Sequence, residues 1–520
     1  MTNVPARALQ RDGFLGWVER VGNALPDPVL LFVYLVIALV VVSVVASATG
    51  WSAIHPTTGE SVNAVSLLSA ANLRRLVVDM PSTFTHFHPL GYVLVVMLGA
   101  GVAERTGLLA AALRAAVRRA PRSWLTPAVA FVSMMGNLAA DAAFVVLIPL
   151  AGVLYASAGR HPIAGIVASF AAVSGGFSAN LLPGQLDALL FGITETAAEI
   201  LDPSWDANIA GNWYFMAVLL FIDLPIVWAV TDRLIEPRLG AWSAPAASSG
   251  SAQDGAAATL SPLEQRGLVR AAIAAGAVVV IWSALVLAPG APLLDATAKP
   301  EVQLTPFYRS LVAGFFVLFL AAGCAYGSVT GAIRHHRDAV RMMSESMQDM
   351  GYYLVLAFTA AHFVSLFQWS NLALLMAIDG ASALKASGLP APGLAAGVVI
   401  LTAVGNLFVG SASAKWALLA PVLVPMLMLL DLSPEMTTAA YRVGDSATNI
   451  ITPLMVYFPL VLTFCQRWKP DYGLGSLLAA MIPYSCWILV AGVILTVAWV
   501  LFDLPLGPGG ARVGYTLLGR

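Results

Sequence analysis

The chain has 520 residues, of which 59% are hydrophobic and only 11% charged, and its net charge is −1. Soluble domains carry about 25% charged residues, so the composition excludes an ordinary water-soluble protein and points to a polytopic membrane protein. The balanced charge offers no basic surface for nucleic acid. Three scattered cysteines, Cys324, Cys465 and Cys486, suggest neither a disulfide framework nor a metal cluster.

The first apolar run, about Val29 to Trp51, is long enough to cross a bilayer and lacks a small-residue cleavage site, so it reads as a retained span. Further spans are predicted to start near His88, Pro162, Trp213, Leu268, Phe307, Met347, Thr437 and Leu474, which makes nine. Two other apolar stretches, about 123–157 and 391–430, are interrupted by Gly-Asn about 13 residues from their start. A helix of that length reaches roughly 20 Å, short of a ~30 Å hydrocarbon core. Both stretches therefore read as re-entrant hairpins whose tips must face protein or water. Pro162–Glu195 and Thr437–Cys465 read as broken helices, the first at Ser174-Gly175-Gly176 and Pro183, the second at Gly444 and Pro453. The stretch 239–262, with Ala-Pro-Ala-Ala-Ser-Ser-Gly-Ser, is a low-complexity linker.

The predicted fold is all-α and polytopic, with nine transmembrane helices and two re-entrant helical hairpins in an inverted repeat. Residues 1–86 form an N-terminal segment with the first span. Residues 87–200 form the first repeat, 201–346 the connecting spans and linker, 347–466 the second repeat, and 467–520 the last span and tail. Internal matches carry the repeat. Asn137 and Asn180 lie 43 residues apart, as do Asn406 and Asn449, and the second pair lies 269 residues beyond the first. The repeats open alike, with Gly91-Tyr92-Val93-Leu94-Val95 and Gly351-Tyr352-Tyr353-Leu354-Val355. With the N-terminus in the cytoplasm, eighteen basic residues fall inside and seven outside, leaving only Lys415 and Arg442 within the membrane. That layout opens the two hairpins on opposite sides.

Amides in apolar segments are costly unless something binds them. Two copies of a polar, Gly-containing break point to the substrate and ion site of a repeat-built secondary transporter, and freed carbonyls beside Ser, Thr, Asn and Asp oxygens suit a hard cation such as sodium. His-Glu-x-x-His, Asp-Asp-x-x-Asp, Gly-x-Ser-x-Gly and P-loop motifs are all missing from the sequence, so neither a membrane-embedded enzyme nor ATP hydrolysis is expected. Paired hairpins with Ser, Asn and Thr tips also fit a sodium-coupled dicarboxylate carrier.

Several stretches resemble the p-aminobenzoyl-glutamate transporter (AbgT) family. They include Gly16-Trp17-Val18-Glu19-Arg20, Leu98-Gly99-Ala100-Gly101-Val102-Ala103-Glu104-Arg105, Gly159-Arg160-His161-Pro162, Asn212-Trp213-Tyr214-Phe215-Met216, and Thr231-Asp232-Arg233-Leu234-Ile235-Glu236-Pro237. The resemblance runs from about Gly16 to Gly509. It implies a dimeric protein of the bacterial inner membrane that moves p-aminobenzoyl-glutamate or, in some members, exports sulfonamide antimetabolites on a cation gradient.

The resemblance places functional residues at Asp187, Trp416, Pro434, Arg442 and Asp445. The expected substrate site comprises Asp187, Trp416, Arg442, Asn137, Asn180 and Pro434. The expected ion-binding or coupling set is Asn406, Gly410, Asp445, Asn449 and Asp187, with sodium on Asn406 and Asp445; no other cofactor is expected beyond sodium or a proton. Arg442 suits a carboxylate or sulfonyl oxygen, and Trp416 offers a surface for an aminobenzoyl ring. A spacing of three places Arg442 and Asp445 on one helix face, which predicts a salt bridge. Pro434 also reads as a helix terminator. Lys415 is positioned either to anchor a substrate carboxylate or to occupy an ion site itself. Asp141 puts a charge on the first hairpin, and Asp223 reads as a cap in a kinked helix.

Overall fold

The computed structural model describes residues 28–54, 59–118, 124–139, 142–240, 242, 260–288, 290–297, 303–409, 411–452, 455 and 457–516. Asp141, Gly410, Pro453 and most of the 239–262 linker lie outside the described residues. The chain opens with α1 (Pro28–Thr49), a Val/Leu/Ile-rich helix. Two three-residue strands follow, β1 (Ser52–Ile54) and β2 (Ser61–Asn63), paired antiparallel with Ser52 opposite Asn63. This small hairpin departs from the all-α expectation. Its stability comes from tertiary anchoring, since the Trp51 indole donates to Asp379 at 2.8 Å and the Val65 N–H donates to the Ser370 carbonyl.

After α2 (Ala70–Val78) and α3 (Met80–Thr85), the segment predicted as the first repeat begins with α4 (His88–Arg105) and α5 (Leu108–Arg118). Its helix pair is α6 (Leu125–Met135) and α7 (Ala142–Ser157), joined through a 3-10 turn at Gly136–Ala139. The broken helix is α8 (Pro162–Phe170), a π turn at Ala171–Gly175, an open stretch, and α9 (Gln185–Ala198). Connecting helices are α10 (Trp213–Val230), α11 (Glu236–Leu239), α12 (Pro262–Leu287), α13 (Thr305–Arg309), α14 (Leu311–Thr330) and α15 (His336–Asp349). The segment predicted as the second repeat comprises α16 (Gly351–Trp369), α17 (Leu372–Ala386), the pair α18 (Ala391–Asn406) and α19 (Ala412–Met428), then α20 (Pro434–Thr448) and α21 (Phe458–Trp468). Last comes α22 (Leu474–Leu501).

Six helices among the described residues have the length and apolarity to cross a membrane: α1, α10 with its continuation to Leu239, α12, α14, α16 and α22. The legs of both helix pairs and α8 are shorter apolar helices. Outward faces are oily, as in α12, where Val269, Ile273, Val280 and Leu287 are all exposed. A sleeve of this kind is soluble only against lipid or protein.

Two predicted breakers behave differently from expectation. The second break falls after Thr448, not at Gly444. Gly444 instead lets α20 cross α18 at close range, since a Cβ there would lie 2.1 Å from Thr402 Oγ1 and 2.2 Å from the Val399 carbonyl. Small residues give apolar helices this proximity inside a bilayer. Pro434 opens α20 rather than ending a helix. Ser433 caps it, its hydroxyl accepting from the Met436 N–H at 3.1 Å, and proline at the first helical position loses no intrahelical bond.

The Gly159-Arg160-His161-Pro162 and Thr231–Pro237 motifs meet at the base of the first helix pair. Arg160 donates to Thr126 at 2.8 Å, pairs with Asp232 at 2.5 Å and with Glu236, and lies over the Tyr155 ring. Thr126 also donates to Asp232 and accepts from Tyr155, both at 2.7 Å. The motif therefore ties α6 and α7 to the end of α10.

Candidate substrate and ion site

The two repeats share one hydrogen bond, partly buried in the first and buried in the second. Asn137 Nδ2 donates to the Gly176 carbonyl at 3.4 Å, and Asn406 Nδ2 donates to the Asp445 carbonyl at 2.7 Å. Each bond joins the turn of a helix pair to the helix that breaks, and each spans 39 residues. The equivalent carbonyls Met134 and Ala403 are both used, but differently: Asn137 donates to Met134 within its own turn at 2.9 Å, whereas Thr448 donates from the break to Ala403 at 3.0 Å. The shared bond sets Asp445 against Gly176.

Beyond that bond the halves differ. In the first, Asn137 and Asn180 line a cavity of about 270 Å³ together with Asp187. Phe144, Phe177 and Tyr353 supply aromatic walls, and the start of α9 (Gly184, Gln185, Leu186) forms one side. Tyr353 and Met350 bring the opening of the second repeat into the same space. Phe144 turns its other face to Tyr457, stacked at 4.3 Å. The breaks themselves touch, with Ser174 Oγ 3.1 Å from Met455 Sδ.

In the second half the corresponding amides are enclosed by protein. Asn406, Asp445, Lys415 and Asn449 are all buried. Asn406 Nδ2 donates to Asn449 Oδ1 at 2.8 Å and to Thr448 Oγ1 at 3.0 Å. The Lys415 ammonium donates to Asn406 Oδ1 and to the Val409 carbonyl at 3.3 Å, and it forms an ion pair with Asp445 Oδ1. The two oxygens expected to hold sodium thus hold an ammonium. A second cation on the same oxygens would sit in direct repulsion with Nζ, so Asn406 and Asp445 as arranged do not fit sodium.

The expected Arg442–Asp445 bridge is replaced by two longer-range pairs. Arg442 Nη1 lies 2.6 Å from Asp187 Oδ1 and donates to Asn212 Oδ1 at 3.2 Å. Asp187 Oδ2 accepts from the Gly184 N–H at 2.7 Å, which fixes the start of α9. Buried charges need a partner on every face, and α20 aims its arginine at the first repeat and its aspartate at Lys415. Arg442 Nε and Nη2 are buried without a hydrogen bond.

Trp416 is fully buried and does not line the cavity. Its ring stacks on Tyr441 at 4.3 Å, and Nε1 donates to Thr194 at 2.9 Å. Thr194 in turn bonds Thr438 at 2.8 Å. These contacts fasten α19 to α9 and α20. Pro434 lies one turn before Thr438, whose hydroxyl donates to its carbonyl at 2.7 Å. His362 Nδ1 donates to the Phe358 carbonyl at 2.7 Å and its ring packs on that of Phe358, a local role. Asp223 is buried within α10, not at a cap, and neither carboxylate oxygen has a hydrogen bond.

Asn212, Thr194, Tyr353 and Gly176 are residues of this region that the sequence does not assign to the site. Asn212 lies in a motif that carries the family resemblance, Tyr353 in the matched repeat openings and Gly176 in the first predicted break, while Thr194 carries no such signal. Its neighbour Trp213 braces the first break, its Nε1 donating to the Leu181 carbonyl at 2.7 Å.

The chain matches the model of the AbgT putative transporter family over residues 13–514. It belongs to the AbgT family. It is 35% identical to the p-aminobenzoyl-glutamate transport protein of Escherichia coli (strain K12) over 509 residues, covering 98% of each chain. Among solved structures it is similar to the YdaH transporter of Alcanivorax borkumensis, with a TM-score of 0.86 and 43% identity over 93% of this chain and all of that one. It is also similar to MtrF of Neisseria gonorrhoeae, described with a class of antimetabolite efflux pumps, with a TM-score of 0.88 and 39% identity over 97% of this chain and all of that one. This AbgT member is thus a multi-pass membrane transporter and not an enzyme.

Proposed function

We propose that the protein is a cation-coupled secondary transporter of p-aminobenzoyl-glutamate or a related aromatic carboxylate, and that sulfonamide antimetabolites are a second class of cargo. The observation that carries this reading is the cavity beside the Asp187–Arg442 pair. Its aromatic walls, Phe144, Phe177 and Tyr353, suit an aminobenzoyl ring. The start of α9 lines the cavity and puts a positive helix end where a glutamyl carboxylate would lie. Arg442 neutralises Asp187 and keeps two donors idle, which suits a second carboxylate when the site rearranges. Trp416 then acts by holding the second helix pair against α9, while the substrate ring seats on the cavity aromatics.

The same reading takes the two helix pairs as re-entrant hairpins of an inverted repeat with nine crossings. The protein would sit as a homodimer in the inner membrane with a cytoplasmic N-terminus. Either sodium or protons supply the coupling gradient. The shared Asn137 and Asn406 bonds support the repeat, and the charge distribution along the sequence supports the orientation.

Flux in proteoliposomes tests the function. Labelled p-aminobenzoyl-glutamate should accumulate unmodified under an imposed sodium or proton gradient, and comparison of the two names the ion. Movement of a C4 dicarboxylate in place of the aromatic substrate would instead establish the dicarboxylate carrier reading.

A further inference from the structure

The centres of the two repeats differ by one complete ion pair. The shared amide bond sets Asp445 against Gly176. The returning legs, aligned on Pro149 and Pro421, set Lys415 against Ala143. The first repeat therefore carries neither charge, while the second carries both, buried and in contact.

The surroundings of the Lys415 ammonium are those of a cation site. Its partners are a carboxylate oxygen of Asp445, an amide oxygen of Asn406 and the backbone carbonyl of Val409. Oxygen sets of this composition, drawn from side chains and unwound backbone, are how broken-helix transporters hold alkali cations. Helix direction adds to it. Asn406 ends α18 and Asp445 lies in the last turn of α20, so two helix C-termini bring their negative ends to one point. Two carbonyl-rich helix ends, an aspartate and an amide oxygen would attract a cation whether or not the chain supplied one. Here the chain supplies it on a four-carbon tether.

We propose that the Lys415 ammonium is the resident cation of the second-repeat ion site, so that this half of the protein takes no sodium. A tethered charge cannot be released to follow a gradient. Any coupling ion must therefore act elsewhere in the molecule, a consequence that rests on the transport reading, whereas the test below does not.

Thermal unfolding of the purified full-length protein, in sodium chloride against choline chloride, reads the site without substrate. Lys415→Met should acquire sodium-specific stabilisation, with half-saturation at least about tenfold below any sodium response of the wild type, because the vacated oxygens lose a neighbouring positive charge. Adding Asp445→Asn to that variant restores charge balance and should remove the gain. A folded Lys415→Met protein with an unchanged sodium response overturns the proposal. Should Lys415→Met fail to fold in both salts, the single variant Asp445→Asn decides. A sodium response equal to the wild type supports the resident ammonium, and loss of an existing response places sodium on Asp445 and overturns it. Absence of p-aminobenzoyl-glutamate flux in liposomes would count against the functional reading alone.

Discussion

Arg442 Nη1 lies 2.6 Å from Asp187 Oδ1, and this contact joins the second repeat to the first at a buried point beside the cavity. Each residue sits on a broken helix, Arg442 in α20 and Asp187 in the first turn of α9. The pair therefore registers the two halves against one another. Removing one partner strands the other charge away from water. Arg442→Ala should cost about 3–5 kcal/mol and abolish flux, while Arg442→Met combined with Asp187→Leu should recover most of the stability and none of the flux. Unfolding midpoints and proteoliposome uptake check this, and equal destabilisation by the single and double changes would remove the pair from its registering role.

Trp416 offers a milder test. Trp416→Phe keeps an aromatic against Tyr441 but deletes the bond from Nε1 to Thr194. A loss of about 1 kcal/mol is expected, with substrate affinity nearly unchanged because the ring does not line the cavity. Thr194→Val should overlap with it in a double-mutant cycle. Binding titrations that show a large loss for Trp416→Phe would return the indole to the substrate.

At the crossing of α18 and α20, Gly444→Ala should be far more damaging than Gly397→Ala. A Cβ at Gly444 meets Thr402 and the Val399 backbone, and at Gly397 it meets nothing within 4 Å. Overpacking of this kind costs about 1–3 kcal/mol. The comparison of melting temperatures for the two alanine variants reads it directly.

His161 provides a pH dependence. It caps α8, with Nδ1 accepting from the Ile163 N–H at 3.3 Å and the ring edge-on to Trp242. Burial holds its imidazole below the ordinary 6.5, with Lys469 acting in the same direction and Glu236 opposing. Because the folded value is depressed, protonation favours the unfolded chain. Full stability is present above 6.5 and is lost as pH falls through the folded value. His161→Asn keeps a capping oxygen and cannot titrate. Between about pH 8 and about pH 5, the wild-type melting temperature should fall further than that of the variant.

The apolar runs, their lengths and the paired polar breaks are legible in the sequence because they are local. Hydrocarbon solvent leaves a helix few ways to satisfy its backbone, so position and composition alone locate the helix pairs 123–157 and 391–430 and the first break near Gly176. The equivalence of Asn137 with Asn406 is equally readable from their spacing. What each charge faces is decided only by tertiary structure. Spacing of three along α20 predicts an Arg442–Asp445 bridge, yet both side chains point to partners on other elements. Helical proximity contributes a few tenths of a kcal/mol, whereas burying an unpaired charge costs several. The fold avoids the greater cost by giving Arg442 to Asp187 and Asp445 to Lys415. Gly444 reads as a breaker in the sequence for a related reason, since the residue that breaks a solitary helix is also the one that lets two helices touch.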